Sequence, residues 1–214
     1  MSSYEILPVK TRILTHNDDI VKAIKEYCQA HVEAGDVIAV AESVVAITQK
    51  RAFDIQEITP GLLAKILCRF FPVHGSLANR YAMQALMNEE GELRVLGAFL
   101  AGSLAKVLGK SGVFYQLAGE QARLIDDFSG TMPPYDKYIV FGPKNPTAVA
   151  ESITAELGCY GAVVADVNDL KRAAILGVSK GVDAQLMSKI LIDNPFGNGS
   201  EKTPIVIVKN YHKS

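Results

Sequence analysis

Apolar and polar positions along this 214-residue chain follow two periods, so it is expected to fold with both strands and helices. The clearest strand signal is 161–169, where small and β-branched residues break off into Asp166, Asn168 and Asp169. That run suits a buried strand, and its polar tail predicts the exit from the sheet. Further strands are predicted at 36–41, 137–141 and 204–209, with an apolar piece at 173–178 and a weaker alternation inside 4–14. Helical spacing appears at Ile20, Ala23, Ile24, Tyr27 and Cys28, behind cap candidates Asn17, Asp18 and Asp19, and Gly35 fits the stop. The stretch 42–48 predicts a short helix, although its β-branched content weakens that signal. Thr59 and Pro60 predict a helix start, with Leu62, Leu63, Ile66 and Leu67 facing the core. Helices are predicted at 79–88 and 93–108, then a turn and a strand at 113–117. A polar link covers 118–136, Asn145 and Pro146 cap a helix to about 157, and a last helix lies near 183–192. The mixture predicts an α+β (mixed α/β) fold with strand order left open.

Composition narrows the function classes. Hydrophobic residues at 49% and charged ones at 21% are the balance of a globular protein, and the length allows a substantial core. A net charge of −1 provides no overall field for nucleic acid or anionic lipid, so neither partner is expected. Cys28, Cys68 and Cys159 are distant and odd in number, which argues against a disulfide scaffold and for a reducing cytoplasm. The opening residues contain neither a basic n-region nor an apolar h-region, so no signal peptide is expected. The apolar stretch 95–105 stops at Lys106, short of the roughly 20 residues a membrane span needs. It is expected to pack as a buried helix.

Candidate chemistry gathers after the predicted strands. Loops at the carboxyl ends of strands commonly carry ligands, and Asp166 stands in such a position. A second polar loop, 193–204, precedes the last apolar run, and together the two offer carboxylates for a divalent cation. Asp after a buried strand also serves ordinary turns, so both readings stay open.

Two motif fragments are rejected. Gly109, Lys110 and Ser111 resemble the end of a P-loop, but the Gly required five positions earlier is Leu104, and the leading element is helical. Gly177, Ser179 and Gly181 match a nucleophile-elbow pattern, followed by Asp193 and His212, but the chain ends too soon to seat an acid and a base on further strands. These glycines are expected instead to let the backbone turn or approach a ligand closely. His16, His31, His74 and His212 have no zinc-type pairing.

In order, these pieces resemble the coenzyme F-420:L-glutamate ligase (gamma-glutamyl ligase) family. The similarity is clearest in Leu7 to Lys10, Asn17 to Ile20 and Ala34 to Ser43, and continues through Arg51 to Pro60. Gly142 to Pro146, Ala165 to Asn168, Ala174 to Gly181 and Glu201 to Pro204 look like the family's later segments. The chain departs from the family at Thr11 to Leu14, at Asp169 and Leu170, and at Ile47, where a phosphate-meeting basic residue is expected. About 70–117 has no convincing counterpart, so a single domain over 1–214 with a divergent helical insert is expected.

The resemblance implies GTP (or ATP) as co-substrate, Mg²⁺ or Mn²⁺, and amide formation between L-glutamate and a carboxylate acceptor of coenzyme F-420 biosynthesis. It implies metal ligation by Asp126, Asp166 and Glu201, with Glu120 or Gln121 as alternatives to Asp126. Arg51, Lys171 and Arg172 would then serve catalysis, and Lys10, Arg12, Asn168, Gly177 and Gly181 cofactor binding. A homodimer is also implied. Replacement of the expected basic residue by Ile47 keeps a second reading in view, a ligase-derived binding protein without turnover.

Overall fold

The computed structural model describes residues 4–125, 134–168, 171–197 and 201–212. In chain order the elements are β1 (Glu5–Val9), α1 (Ile20–Cys28), β2 (Val37–Ala41), α2 (Glu42–Thr48), β3 (Ala52–Asp54) and α3 (Leu62–Leu67). Then come α4 (Arg80–Glu90), α5 (Glu92–Val107), α6 (Val113–Leu117), α7 (Gln121–Leu124) and β4 (Tyr138–Val140). The chain closes with α8 (Pro146–Leu157), β5 (Gly161–Asn168), β6 (Arg172–Val178), α9 (Ala184–Ile190) and β7 (Ile205–Lys209). The fold is α+β, as expected, and divides into two compact units: Met1–Arg51 with Pro143–Ser214, and Ala52–Gly142.

The first unit is built on a sheet ordered β1-β7-β2-β5-β6 among the described residues. β2 and β5 are parallel, and β7 lies antiparallel to both β1 and β2. β1, β2 and β5 therefore all end at the same edge of the sheet. Alternation sends Ile38, Val40, Ala162, Val164, Ile205 and Ile207 to the face covered by α1 and α8. Val37, Ala39, Val163, Ala165, Val206 and Val208 face Met187 and Leu191 on the other side. Strands buried on both faces read as unbroken apolar runs, which is why they were visible in the sequence.

α1 starts where Asp19 accepts the Lys22 backbone N–H at 3.0 Å, a side-chain cap of the expected kind. At the opposite edge, buried Asp36 accepts Glu33 N–H at 2.8 Å, Asn210 N–H at 2.9 Å and Lys209 Nζ at 2.7 Å. That carboxylate ties the entry of β2 to the end of β7. Cys28 and Cys159 are buried free thiols, and burial pushes Cys28 up to about 12, so it is an inert core residue.

The second unit packs α3, α4, α5 and α6 with the β3–β4 pair around a separate core that includes Met83, Leu86, Val95, Phe114 and Ile139. Glu90 organises its end: one carboxylate oxygen accepts Arg94 at 2.7 Å, the other the Gln121 backbone N–H at 3.1 Å. Gly119 has no room for a side chain because the Glu90 carboxylate fills the space.

Four local expectations are corrected. The helix expected from Thr59 and Pro60 begins at Leu62 behind Gly61, and Leu62 and Ile66 point outward while Ala64 and Leu67 are buried. The predicted strand at 113–117 is α6, whose Phe114 lies against Gly102 of α5, so tertiary packing overrides its β-prone composition. β5 does not leave the sheet at Asp166; it pairs with β6 through Asn168, opposite Arg172. The apolar helix expected to be buried, α5, buries only Val95 and Ala98.

Candidate functional site

The strand directions bring most of the sequence candidates to the same end of the sheet, spread across its width from β1 to β6. At the edge where β1, β2 and β5 end, Lys10 and Arg12 follow β1, Asp166 and Asn168 finish β5, and Lys171 and Arg172 lead into β6. Glu201 precedes β7 at the same edge, where Thr11 N–H donates to Lys202 O at 2.8 Å and Ala41 N–H to Pro204 O at 2.9 Å. β7 and β5 flank β2, so backbone points on those two strands lie roughly 10 Å apart at neighbouring-strand spacing.

Asp166 stands apart from the other charged groups. Among the described residues it accepts no hydrogen bond and meets no cation, and desolvation alone pushes its carboxyl pKa up. Its side chain still reaches solvent, which limits the size of that effect.

The cations are differently placed. Arg12 forks onto Asp18 at 2.6 and 2.9 Å, and Asp18 also accepts the Thr15 backbone N–H at 2.7 Å. The Arg12 guanidinium, then the Thr15 backbone, hold the Asp18 carboxyl well below the usual carboxylate range. Arg12 thus shapes the loop into α1. Lys171, in a left-handed conformation at the β5–β6 turn, pairs with Asp193. Lys10 and Arg172 are exposed at the edge.

Other candidates lie elsewhere. Arg51 is buried beyond the far end of α2, its N–H donating to Ala46 O at 2.9 Å. Gly177 lies under the first turn of α8, where a Cβ would collide with the Pro146 backbone. Gly181 takes a left-handed turn and accepts Tyr160 Oη–H at 3.1 Å. Packing and turn geometry account for these two glycines without a ligand. Ser179 Oγ is buried and accepts Ala162 N–H at 2.8 Å, which fixes it as a sheet residue and not a nucleophile.

Asp126 lies outside the described residues. Of its alternatives, Glu120 is exposed, and Gln121 is buried with its carbonyl accepting Gly142 N–H at 3.0 Å. Among the described residues no three His, Cys, Asp or Glu side chains lie close enough to share an ion. Glu42 was not among the sequence candidates, although it opens α2 directly after Ala41 at the same edge. Its place immediately after a strand was the available signal.

The model of the family described as F420-0:Gamma-glutamyl ligase matches residues 8–185. The chain belongs to that family. The matched span brackets the helical segment around 70–117 and includes Asp166, whereas Glu201 and β7 lie beyond it. No curated protein matches the chain. Membership supports a gamma-glutamyl ligase of F-420 biosynthesis acting on small molecules. Within this family member Ile47 is buried in α2, so the position where the resemblance expects a phosphate-meeting cation is a core position here. Among the described residues no helix is long and apolar enough to cross a membrane.

Proposed function

We propose that this family member is a divalent-metal- and nucleotide-dependent ligase that joins L-glutamate to a carboxylate acceptor, the coenzyme F-420 precursor or a related compound. The observation that carries the reading is Asp166, a partly desolvated carboxylate without a protein partner among the described residues, at the carboxyl edge of the sheet. Its oxygens, with those of Glu201, fit Mg²⁺ or Mn²⁺, since Mg²⁺ commonly takes only one or two protein carboxylates. A bound ion would supply charge neutralisation for the nucleotide phosphates.

A carboxylate is a poor acyl donor because oxide does not leave. In the proposed reaction the acceptor carboxylate attacks the γ-phosphorus of GTP or ATP, and the bond to the bridging oxygen breaks with release of nucleoside diphosphate. The glutamate amine then attacks the acyl carbon, the carbon–oxygen bond breaks, and inorganic phosphate leaves while the amine proton passes to solvent. Lys10, Lys171 and Arg172 offset phosphate charge at the edge, and Arg12 holds the loop that presents Lys10. Asn168 offers an amide beside them. Work in the cytoplasm as a homodimer completes the proposal.

A second reading, a ligase-derived nucleotide- or cofactor-binding protein without turnover, is favoured by one observation, the buried Ile47. Incubation with glutamate, GTP or ATP, Mg²⁺ or Mn²⁺ and candidate acceptors separates the two. The ligase reading expects nucleoside diphosphate and a glutamylated product in equal amounts. Nucleotide binding without product supports the second reading, and no nucleotide or metal binding contradicts both.

A further inference from the structure

The loop between β1 and α1 is fixed by more than the helix needs. Asp19 caps α1 by accepting the Lys22 backbone N–H at 3.0 Å, so the carboxylate one residue earlier serves something else. Asp18 accepts the Arg12 fork at 2.6 and 2.9 Å, Thr15 N–H at 2.7 Å and Thr15 Oγ–H at 3.1 Å. Its side chain is only 14% exposed, so solvent screens the pair less than it screens an open surface pair. From the body of α1, Tyr27 Oη accepts the Arg12 backbone N–H at 3.3 Å. Arg12 is therefore held through main chain and side chain, with Thr11 and Leu14 buried on either side of it.

We propose that Asp18 and Tyr27 are positioning residues: acting through Arg12, they fix the spacing between Lys10 and Glu201, and with it the fit of a metal–nucleotide pair at the carboxyl edge. Thr11 N–H donates to Lys202 O at 2.8 Å, which joins the residue after Lys10 to the residue after Glu201. A displacement of Arg12 is passed through that bond to the segment that brings in Glu201. One clasp on α1 thus governs a cation and a carboxylate that lie far apart in sequence.

The form of the clasp suits alignment. Two parallel N–H groups meet two carboxylate oxygens only near one plane, so the Arg12–Asp18 fork sets direction as well as distance. Thr15 in turn fixes Asp18: its N–H and hydroxyl donate to the carboxylate, and its carbonyl accepts the Asp18 backbone N–H at 3.0 Å. Arg12 lies within Thr11 to Leu14, a segment in which the chain departs from its family. The clasp is accordingly a feature of this member. The inference rests on the ligase reading and adds to it residues that touch neither nucleotide nor metal.

Titration calorimetry of the full chain with GTP in the presence of Mn²⁺ tests it, with thermal melting of the unliganded protein alongside. Asp18→Asn keeps the size of the side chain but removes the charge that the fork holds, and the expected loss of nucleotide affinity is at least about tenfold. Steady-state assay then shows KM for GTP raised by that factor, with kcat and KM for glutamate within about twofold of native. Arg12→Ala loses as much, and Asp18→Asn costs nothing further in that background, because the two groups act as one. Tyr27→Phe, which removes only the acceptor of one backbone N–H, keeps the ion pair and weakens binding by about threefold. An Asp18→Asn variant that binds GTP as well as the native chain does, whatever its melting temperature, has lost only structural support and overturns the proposal. Additive losses, or a fall in kcat with KM unchanged, overturn it as well. A native chain that binds no GTP fails the ligase reading itself, and the proposal falls with it.

Discussion

The two units of this chain use their apolar residues in opposite ways. The sheet unit seals nearly all of them, on two faces, and among the described residues its exposed large apolar ones are Ile6 and Leu7 of edge strand β1. The helical unit leaves Leu62, Phe70, Val73 and the outer stripe of α5 in solvent. A saturated core lets strand ends hold charged groups in fixed places, which suits chemistry on small molecules. An unsaturated one leaves surface for a partner.

Core truncation should break the comparison most strongly. Ile38→Ala, inside the sheet unit, is expected to cost about 2–5 kcal/mol in denaturant unfolding. Asp36→Ala removes the buried partner of Lys209 and the acceptor of two backbone N–H groups and is expected to cost about 3 kcal/mol.

Asp166→Asn sharpens the comparison, because a residue held for ligand binding should weaken the empty fold. Its folded pKa lies above the unfolded value near ~3.9. The penalty for charging it is therefore absent below that value and complete once pH has risen through the folded one. The variant should melt higher than the native chain at neutral pH and equally in acid, as read by calorimetry across pH.

Asp18 carries the opposite sign. Its folded pKa lies below ~3.9, so its contribution is present above that value and fades as pH falls through the folded one. Arg12→Ala should accordingly move the acid-unfolding midpoint to higher pH. The smallest effect belongs to the helical unit: Leu93→Ala, at an exposed position, should change monomer stability by no more than about 0.5 kcal/mol.

The sheet unit was also the more legible of the two. β2, β5 and β7 each contain a short run of Val, Ile and Ala, and Asp19 is a local cap, so pattern and chain agree there. The strand β5 outlasts its apolar run because β6 pairs with Asp166 and Asn168, a partner that periodicity along one segment does not reveal. In the helical unit α5 is apolar nearly all round, which hides which face is inside, and α6 owes its helix to the fit of Phe114 on Gly102. The candidate site shows the same division. Strand ends were legible, so Lys10, Asp166, Arg172 and Glu201 fall at one edge. Contacts with distant partners were not: Lys171 with Asp193, and Gly177 under Pro146.

The most direct measurement follows the Mn²⁺ electron paramagnetic resonance signal as the native chain and Asp166→Asn are titrated with Mn²⁺ in the presence of GTP. The account predicts that the native chain takes up the ion and that the variant binds it at least about tenfold more weakly. Equal uptake by the two proteins, or none by the native chain, would contradict the assignment of ligand chemistry to the carboxyl edge of the sheet.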